Sequence, residues 1–593
     1  MYRLVSAVTR VGAVAVLARH AAGINLTVST SAGNATSPLM HGFMFEDINH
    51  SGDGGIHGQL LRNNGFQGDD QTTTAYGTVG DVELTVDAEN PLSSAIPYSL
   101  AVAVPDGTTG DVGFSNEGYW GILVNADQYS TSFWIKGDYT GNVTIKLVGN
   151  YSGTEYASTT LDVSSNTSAY SYYETSFESE QAPNGNNLWT LTFDGESTAG
   201  STLYFDLITL YPPTFNNREN GLKPAIANVL NDMGATFLRF PGGNNLEGYS
   251  EDNRWKWNET LGPLEDRPGR QGTWGYPNTD ALGLIEYFEW CEDMGLAPIL
   301  GVWDGFALES GGNTPITGDA LTPYVDDVLN ELEFILGDSS TTYGSLRASL
   351  GYPDPFTLTH VEIGNEDYLG TGVVQDYHTY ASETDLVANF SQWDNANRSQ
   401  PVFVGEFACY TLADGTHAAL PSVACSVAEA VYMAGLERNA DVVRMAAYAP
   451  LLQLVNDTQW TPDLVAFAQA PGQVVRSTSY FVQRMFAGAW GSETRAVEAD
   501  GAFGPVYWSA SGDGDGAAVY VKLANYGDVE QSVSVGVEGA TSGALTTLSG
   551  ERTAANSVEA GEVVVPVTST LEGSDGTFEI TLPAWSVAVL ATS

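Results

Sequence analysis

Basic residues are scarce. There are 22 Lys and Arg against 72 Asp and Glu in 593 residues, a formal net charge of −50. A field of that sign repels phosphate backbones and anionic bilayers, so neither nucleic acid nor a membrane is an expected partner. Charge is thin altogether, at 16% of residues against ~25% in ordinary soluble domains. Cysteines number three, so at least one has no partner within the chain. No CxxC pair occurs and none of the seven histidines falls at HExxH spacing, so no metal site is expected. No GxGxxG follows a strand-like run, which leaves a dinucleotide cofactor without its signature. No later run reaches the ~18–20 apolar residues of a membrane span. No cofactor is expected.

Hydrophobic residues make up 43%, enough for sizeable cores. The rest is rich in Ser, Thr, Asn and Gly, a surface compatible with neutral carbohydrate. Residues 1–22 combine Arg3 and Arg10 with an apolar stretch at 11–18 and small residues after it, the pattern of a secretory signal. Ten N-x-S/T sequons, at Asn25, Asn34, Asn49, Asn142, Asn150, Asn166, Asn258, Asn389, Asn397 and Asn456, favour an extracellular glycoprotein. Cys409 and Cys425 lie close in sequence and are the expected disulfide, with Cys291 a buried thiol in a helical segment.

The texture changes along the chain. A strand-like stretch at 41–48 precedes a helix-compatible one at 56–62, and together they read as a first barrel unit (41–71). From 72 to 213, short alternating runs such as 132–136, 143–148 and 203–207 are separated by turn residues, as in an antiparallel β-sandwich. From 214 to 488, helical patterns (222–233, 280–294, 324–336, 427–438, 479–487) alternate with apolar strands (236–240, 297–302, 357–363, 402–404, 442–446). Such alternation predicts an α/β parallel sheet, doubly wound or closed into a (β/α)8 barrel. Residues 489–593 return to short strands and predict a C-terminal β-sandwich that includes a strand near 24–30.

Three glutamates follow apolar strands: Glu366 after Gly364-Asn365, Glu406 after Gly405, and Glu46 after 41–45. Barrel strands end at the active-site face, and burying a carboxylate there is unfavourable unless it has work to do. Two facing carboxylates suit glycosidic bond cleavage, one protonating the leaving oxygen and the other attacking carbon or activating water. A separation of about 5–5.5 Å gives retention and ~6.5–9.5 Å gives inversion.

The stretches GFMFEDINHSGDGGIHGQLLRN (42–63), FLRFPGGNNLEGY (237–249), GTWGYPNTDALGLIEYFEWCEDMG (272–295), VEIGNED (361–367), DYHTYAS (376–382) and VFVGEFA (402–408) resemble glycoside hydrolase family 51, the α-L-arabinofuranosidases, in its secreted fungal branch. The resemblance implies a retaining hydrolase that releases terminal arabinofuranose from the plant cell-wall polysaccharides arabinoxylan or arabinan. It also implies a carbohydrate-binding-like sandwich inserted after the first barrel unit. By motif, Glu366 is the expected acid/base, its pKa raised by the second carboxylate, and Glu406 the expected nucleophile. Asn365 is implied to hold the sugar 2-hydroxyl, and Glu46, Asn244 and Gln453 to bind the arabinose. His378 and Tyr380 match the H-x-Y before the nucleophile, where Tyr orients the carboxylate. Trp303 could stack on a sugar or simply pack. Two other readings stay open: a β-xylosidase or β-glucanase on the same barrel, and a carbohydrate-binding protein with a barrel that no longer turns over.

One spacing departs from the family. A barrel of ~250 residues has about 30 per βα unit, and the family sets three units between acid/base and nucleophile, or about 90 residues. Here Glu366 and Glu406 are 40 apart. If 376–382 is strand six and 383–393 its helix, the nine residues 367–375 cannot supply a helix, a strand and another helix. The barrel is therefore expected to lack about one and a half βα units between Leu369 and Asp376. An omitted exon explains this better than a decaying gene copy.

Overall fold

A computed structural model describes residues 23–69, 71–308, 315–366, 374–469, 474–514 and 518–592. The expected signal (1–22) and most of the short link after Glu366 lie outside the described residues. Among them, no helix is long and apolar enough to cross a membrane.

The centre is a parallel sheet of seven strands, numbered here β1 His41–Met44, β2 Phe237–Phe240, β3 Ala297–Val302, β4 His360–Ile363, β5 Gln375–Ser382, β6 Val402–Thr411 and β7 Val443–Tyr448. Their order is β4-β3-β2-β1-β7-β6-β5. Helices fill the crossovers where punctuation predicts them. Pro224–Met233 starts on proline and ends on Gly234 at φ 74°; Leu284–Met294 ends on Gly295 at φ 68°. Val423–Arg438 is buried on nearly every face, as a helix between two layers must be: it packs on β6 and on the C-terminal sheet. A further helix, Thr342–Ser349, has too weak an apolar periodicity to be read from sequence.

Between β1 and β2 the chain leaves the barrel. Two five-stranded antiparallel sheets close over their own core, which includes Phe114, Phe133, Ile145, Trp189 and Phe205. In the strand Gln128–Lys136, burial alternates residue by residue, as expected for strands with one face on a core. The nine-stranded sheet that ends the chain also takes in Ile24–Ala35, which pairs with Glu493–Ala499 and Gln531–Val537.

The helix expected at 56–62 does not form. His57 bridges to Leu222, Gly58 N–H donates to Gly221 O, and Leu60 N–H donates to Leu210 O. The segment is thus tied in extended form to the chain returning from the insertion. A helical turn lies nearby at Gly52–Ile56, with non-helical backbone inside it.

The barrel is open on one side. Among the described residues β4 pairs only with β3, and β5 only with β6. Eight residues link Glu366 to Gln375, too few for the helix, strand and helix a closed barrel requires. The open edge leaves Val361 41% and Ile363 69% exposed, unusual for apolar side chains on a barrel strand.

Cys409 at the end of β6 is bonded to Cys425 in the following helix, and both are fully buried; Cys291 is a buried free thiol. The bond closes a loop with a sequence separation of 16. Cys425→Ala is expected to lower unfolding free energy by about 2–3 kcal/mol. Guanidinium melts measure it, and an unchanged midpoint would show that helix packing alone holds the loop.

Candidate active site

The ends of the barrel strands bring five of the eight singled-out residues, Glu46, Asn365, Glu366, His378 and Tyr380, around Glu406. The organiser is Arg239, midway along apolar β2 and 0% exposed. Its guanidinium donates to Glu362 Oε2 (2.5 Å), Glu406 Oε1 (2.8 Å) and Asn365 Oδ1 (2.8 Å). Asn365 in turn donates to Glu247 at 3.2 Å. Parallel pairing of β5 with β6 sets His378 opposite Glu406. His378 Nδ1 lies 3.2 Å from Glu366 Oε1 and 3.5 Å from Glu406 Oε2, and its Nε2 lies 2.7 Å from Asp376. The Tyr380 hydroxyl donates to Glu406 Oε2. Ligand atoms of Glu366, His378 and Glu406 all lie within 4.8 Å of one another. Side chains thus cross the seam between β4 and β5. Glu366 is held in left-handed backbone at φ 56°, a strained conformation for a residue with a Cβ.

Glu46, at the end of β1, is buried and accepts from Asn245 N–H (3.1 Å) and Trp274 Nε1 (3.1 Å). Gly243 has to be glycine there: its φ is 57°, and a Cβ would meet the Glu46 carboxylate at 2.3 Å.

Charge distribution follows from burial and these contacts. Burial opposes charge on His378, but the Glu406 charge and hydrogen bonds to Asp376 and Glu366 outweigh it and raise its pKa to about 10. The hydrogen bond from His378 in turn lowers Glu366 below the ordinary glutamate value, against burial. The sequence expectation had the opposite sign. It counted a second carboxylate but not the imidazolium wedged between the two. Burial, reinforced by the Glu406 charge, pushes Glu46 up to about 8, so it is protonated at neutral pH. Burial likewise raises Glu362 to about 7 against the pull of Arg239.

Among the described residues, two trios bring possible metal-ligating atoms together: Glu362, Asp376 and His378, and Glu366, His378 and Glu406. Both depend on His378, whose ring carries the proton a metal would have to displace.

The remaining expected residues lie further out. Asn244 is half-buried in the short helix Gly243–Glu247, next to the Asn245 amide that binds Glu46. Gln453 is buried and donates to Thr458 Oγ1 at 2.9 Å. Trp303 packs: its Nε1 donates to Glu247 O, Arg254 lies over its ring, and Tyr324 meets it edge-on. Asn49 is no glycosylation site in the folded protein. It is 0% exposed, and its amide holds Trp460 O and Asp463. Sequence reading missed Arg239, Glu362, Asp376 and Trp274. A lone arginine inside the apolar run 237–240 was the available signal for the first.

Family models described as "Alpha-L-arabinofuranosidase 1 domain" and "Alpha-L-arabinofuranosidase C-terminal domain" match residues 229–374 and 393–586. Alpha-L-arabinofuranosidase A of Aspergillus niger is 52% identical, with 100% of each chain covered. The chain belongs to glycoside hydrolase family 51, the α-L-arabinofuranosidases. The probable alpha-L-arabinofuranosidase A of Emericella nidulans is 38% identical over 84% of this arabinofuranosidase and 99% of its own length. The arabinose-bound structure of MgGH51 α-L-arabinofuranosidase superposes with a TM-score of 0.91 at 36% identity, covering 96% of this chain and 100% of that one. The alignment with the A. niger relative runs over 633 positions, 40 more than this chain has residues.

Proposed function

We propose that this arabinofuranosidase releases terminal α-L-arabinofuranose from arabinoxylan or arabinan with retention of configuration. The observation that carries the reading is the approach of Glu366 and Glu406, with carboxylate oxygens within 4.8 Å. An approach that close favours the ~5–5.5 Å pairing of a retaining enzyme over the ~6.5–9.5 Å pairing of an inverting one. In the first step Glu406 attacks the anomeric carbon and the glycosidic C–O bond breaks, while Glu366 gives its proton to the departing oxygen. In the second, Glu366 takes a proton from water, and that water displaces Glu406 from the sugar. Arg239 and Tyr380 hold one Glu406 oxygen each, which aims the nucleophile. Protonated Glu46 can donate to a sugar hydroxyl. Arabinofuranose is favoured over a pyranoside because the family resemblance gives Glu46 the part of closing a small furanose pocket, and here Asn245 N–H and Trp274 Nε1 hold that carboxyl in place. Hydrolysis of aryl α-L-arabinofuranosides, set beside aryl β-xylosides and β-glucosides, tests this; a preference for either β-glycoside would overturn it.

Export is part of the proposal. Residues 1–22 carry the signal pattern, and sequons such as Asn142, Asn150, Asn166 and Asn397 sit on exposed surface where a glycan fits.

Glu366 has to be protonated to act as the acid, and His378 lowers its pKa. The protonated fraction falls as pH rises through that lowered value, so activity is expected to peak in acid and decline well before about pH 8. His378→Asn removes the charged donor, raises the Glu366 pKa and should shift the alkaline limb of kcat/KM to higher pH. An unmoved limb would show that His378 does not set the protonation of Glu366.

A further inference from the structure

The His378 ring meets the two catalytic glutamates with one nitrogen and is held from behind by the other. Nδ1 lies 3.2 Å from Glu366 Oε1 and 3.5 Å from Glu406 Oε2, while Nε2 lies 2.7 Å from Asp376 Oδ2. Asp376 and His378 are two residues apart on β5, so both project from the same face of the sheet. The neighbouring strand makes room for the pair. A Cβ at Gly405 on β6 would stand 2.3 Å from Asp376 Oδ1 and 2.9 Å from His378 Nε2, a space only glycine leaves open. Among the described residues no backbone N–H holds either Asp376 oxygen. A mostly buried carboxylate without such support is costly to the fold, and the ring beside it is its counterpart.

We propose that Asp376 is a positioning residue for the second half of the reaction: it keeps the His378 ring charged and turned toward Glu366 while Glu406 is bonded to the sugar. The proposal rests on the double displacement set out above and adds what holds the acid/base ionised between its two steps.

The need arises from a change of charge during turnover. In the resting site the Glu406 charge is the largest influence favouring the protonated ring. Once Glu406 forms an ester with the anomeric carbon, that charge is gone. Glu366 has by then given its proton to the leaving oxygen and has to stay ionised. In the second step water attacks the anomeric carbon and passes its proton to Glu366, and the electron pair of the breaking C–O bond returns to Glu406. A ring that released its own proton to Glu366 would fill the site where the water proton goes. Asp376 is the anion at the ring that the reaction leaves untouched. The other groups facing the pair cannot replace it. Glu362 on β4 comes within 4.8 Å of both side chains, but burial raises its pKa to about 7, and Arg239 on β2 is a cation.

The test is steady-state hydrolysis of a dinitrophenyl α-L-arabinofuranoside by the full chain and by its Asp376→Asn and Asp376→Glu variants. That phenolate leaves without a proton, so the second step limits kcat. Asp376→Asn is expected to lower kcat at least about tenfold and to lower KM with it, leaving kcat/KM within about twofold, because the glycosyl-enzyme accumulates. Asp376→Glu keeps the charge and should recover most of the loss. Azide attacks the same carbon with no proton to be removed, so it should raise kcat of Asp376→Asn and give a glycosyl azide of retained configuration. KM and the azide response do not depend on how much of a variant folds. An unchanged kcat in Asp376→Asn, or kcat and kcat/KM falling together without an azide response, would overturn the proposal. Release of the β anomer by the parent would instead refute the double displacement itself, whatever the Asp376 variants do.

Discussion

Glu406→Ala is expected to lower kcat at least about 10^4-fold relative to its parent, since loss of a covalent nucleophile elsewhere reaches ~10^6. Folding should survive, because buried Arg239 keeps Glu362 and Asn365 as partners. Removing the carboxylate also removes a charge that raises Glu46, so the Glu46 pKa should fall. Azide can enter the vacated space and attack the anomeric carbon directly. It should restore turnover and give a glycosyl azide of inverted configuration. Near-parental activity in the variant would reassign the nucleophile. Glu366→Ala should differ in kind, slowing substrates with poor leaving groups most, because those depend most on protonation.

Restoring the barrel is the second change with a large expected effect. Among the described residues, seven strands leave β4 and β5 as free edges, and the A. niger alignment has 40 positions more than this chain has residues. We infer that a helix–strand–helix segment belongs between Glu366 and Gln375. Splicing the corresponding stretch of that relative into the gap should cover Val361 and Ile363. Burying what these two now expose is worth on the order of 2 kcal/mol. It should also remove a free edge that invites aggregation. The 593-residue chain should give low soluble yield and low activity, and the restored chain should gain several-fold in active enzyme per cell. Sequencing the transcript across codons 366–378 separates an omitted exon from a true deletion. Full solubility and activity of the 593 residues as they stand would refute this part of the account.

Much of the barrel was legible because local signals agreed. Apolar runs end in glycine and an acid at 361–366 and 402–406, and helices start on proline or stop on glycine. The shortness of the link between Glu366 and Gln375 was legible too, since a residue count bounds what a link can build. What stayed hidden depends on tertiary register. His378 and Glu406 are 28 residues apart and meet only because β5 pairs in parallel with β6. The protonation of Glu366 hangs on that meeting, so sequence reading assigned its pKa shift the wrong direction. Residues 56–62 carry a helical pattern, but their backbone donors find partners on the strand returning from the insertion. Asn49 looks like a sequon and is instead the clamp of the Trp460 loop.

The most direct test of the central claim is stereochemical. Proton NMR can follow an aryl α-L-arabinofuranoside through its first seconds with the restored chain and record which arabinose anomer forms before mutarotation. Double displacement at Glu406 predicts that the α anomer accumulates first. Initial release of the β anomer would mean a single displacement by water, and the pairing of Glu366 with Glu406 proposed here would be wrong.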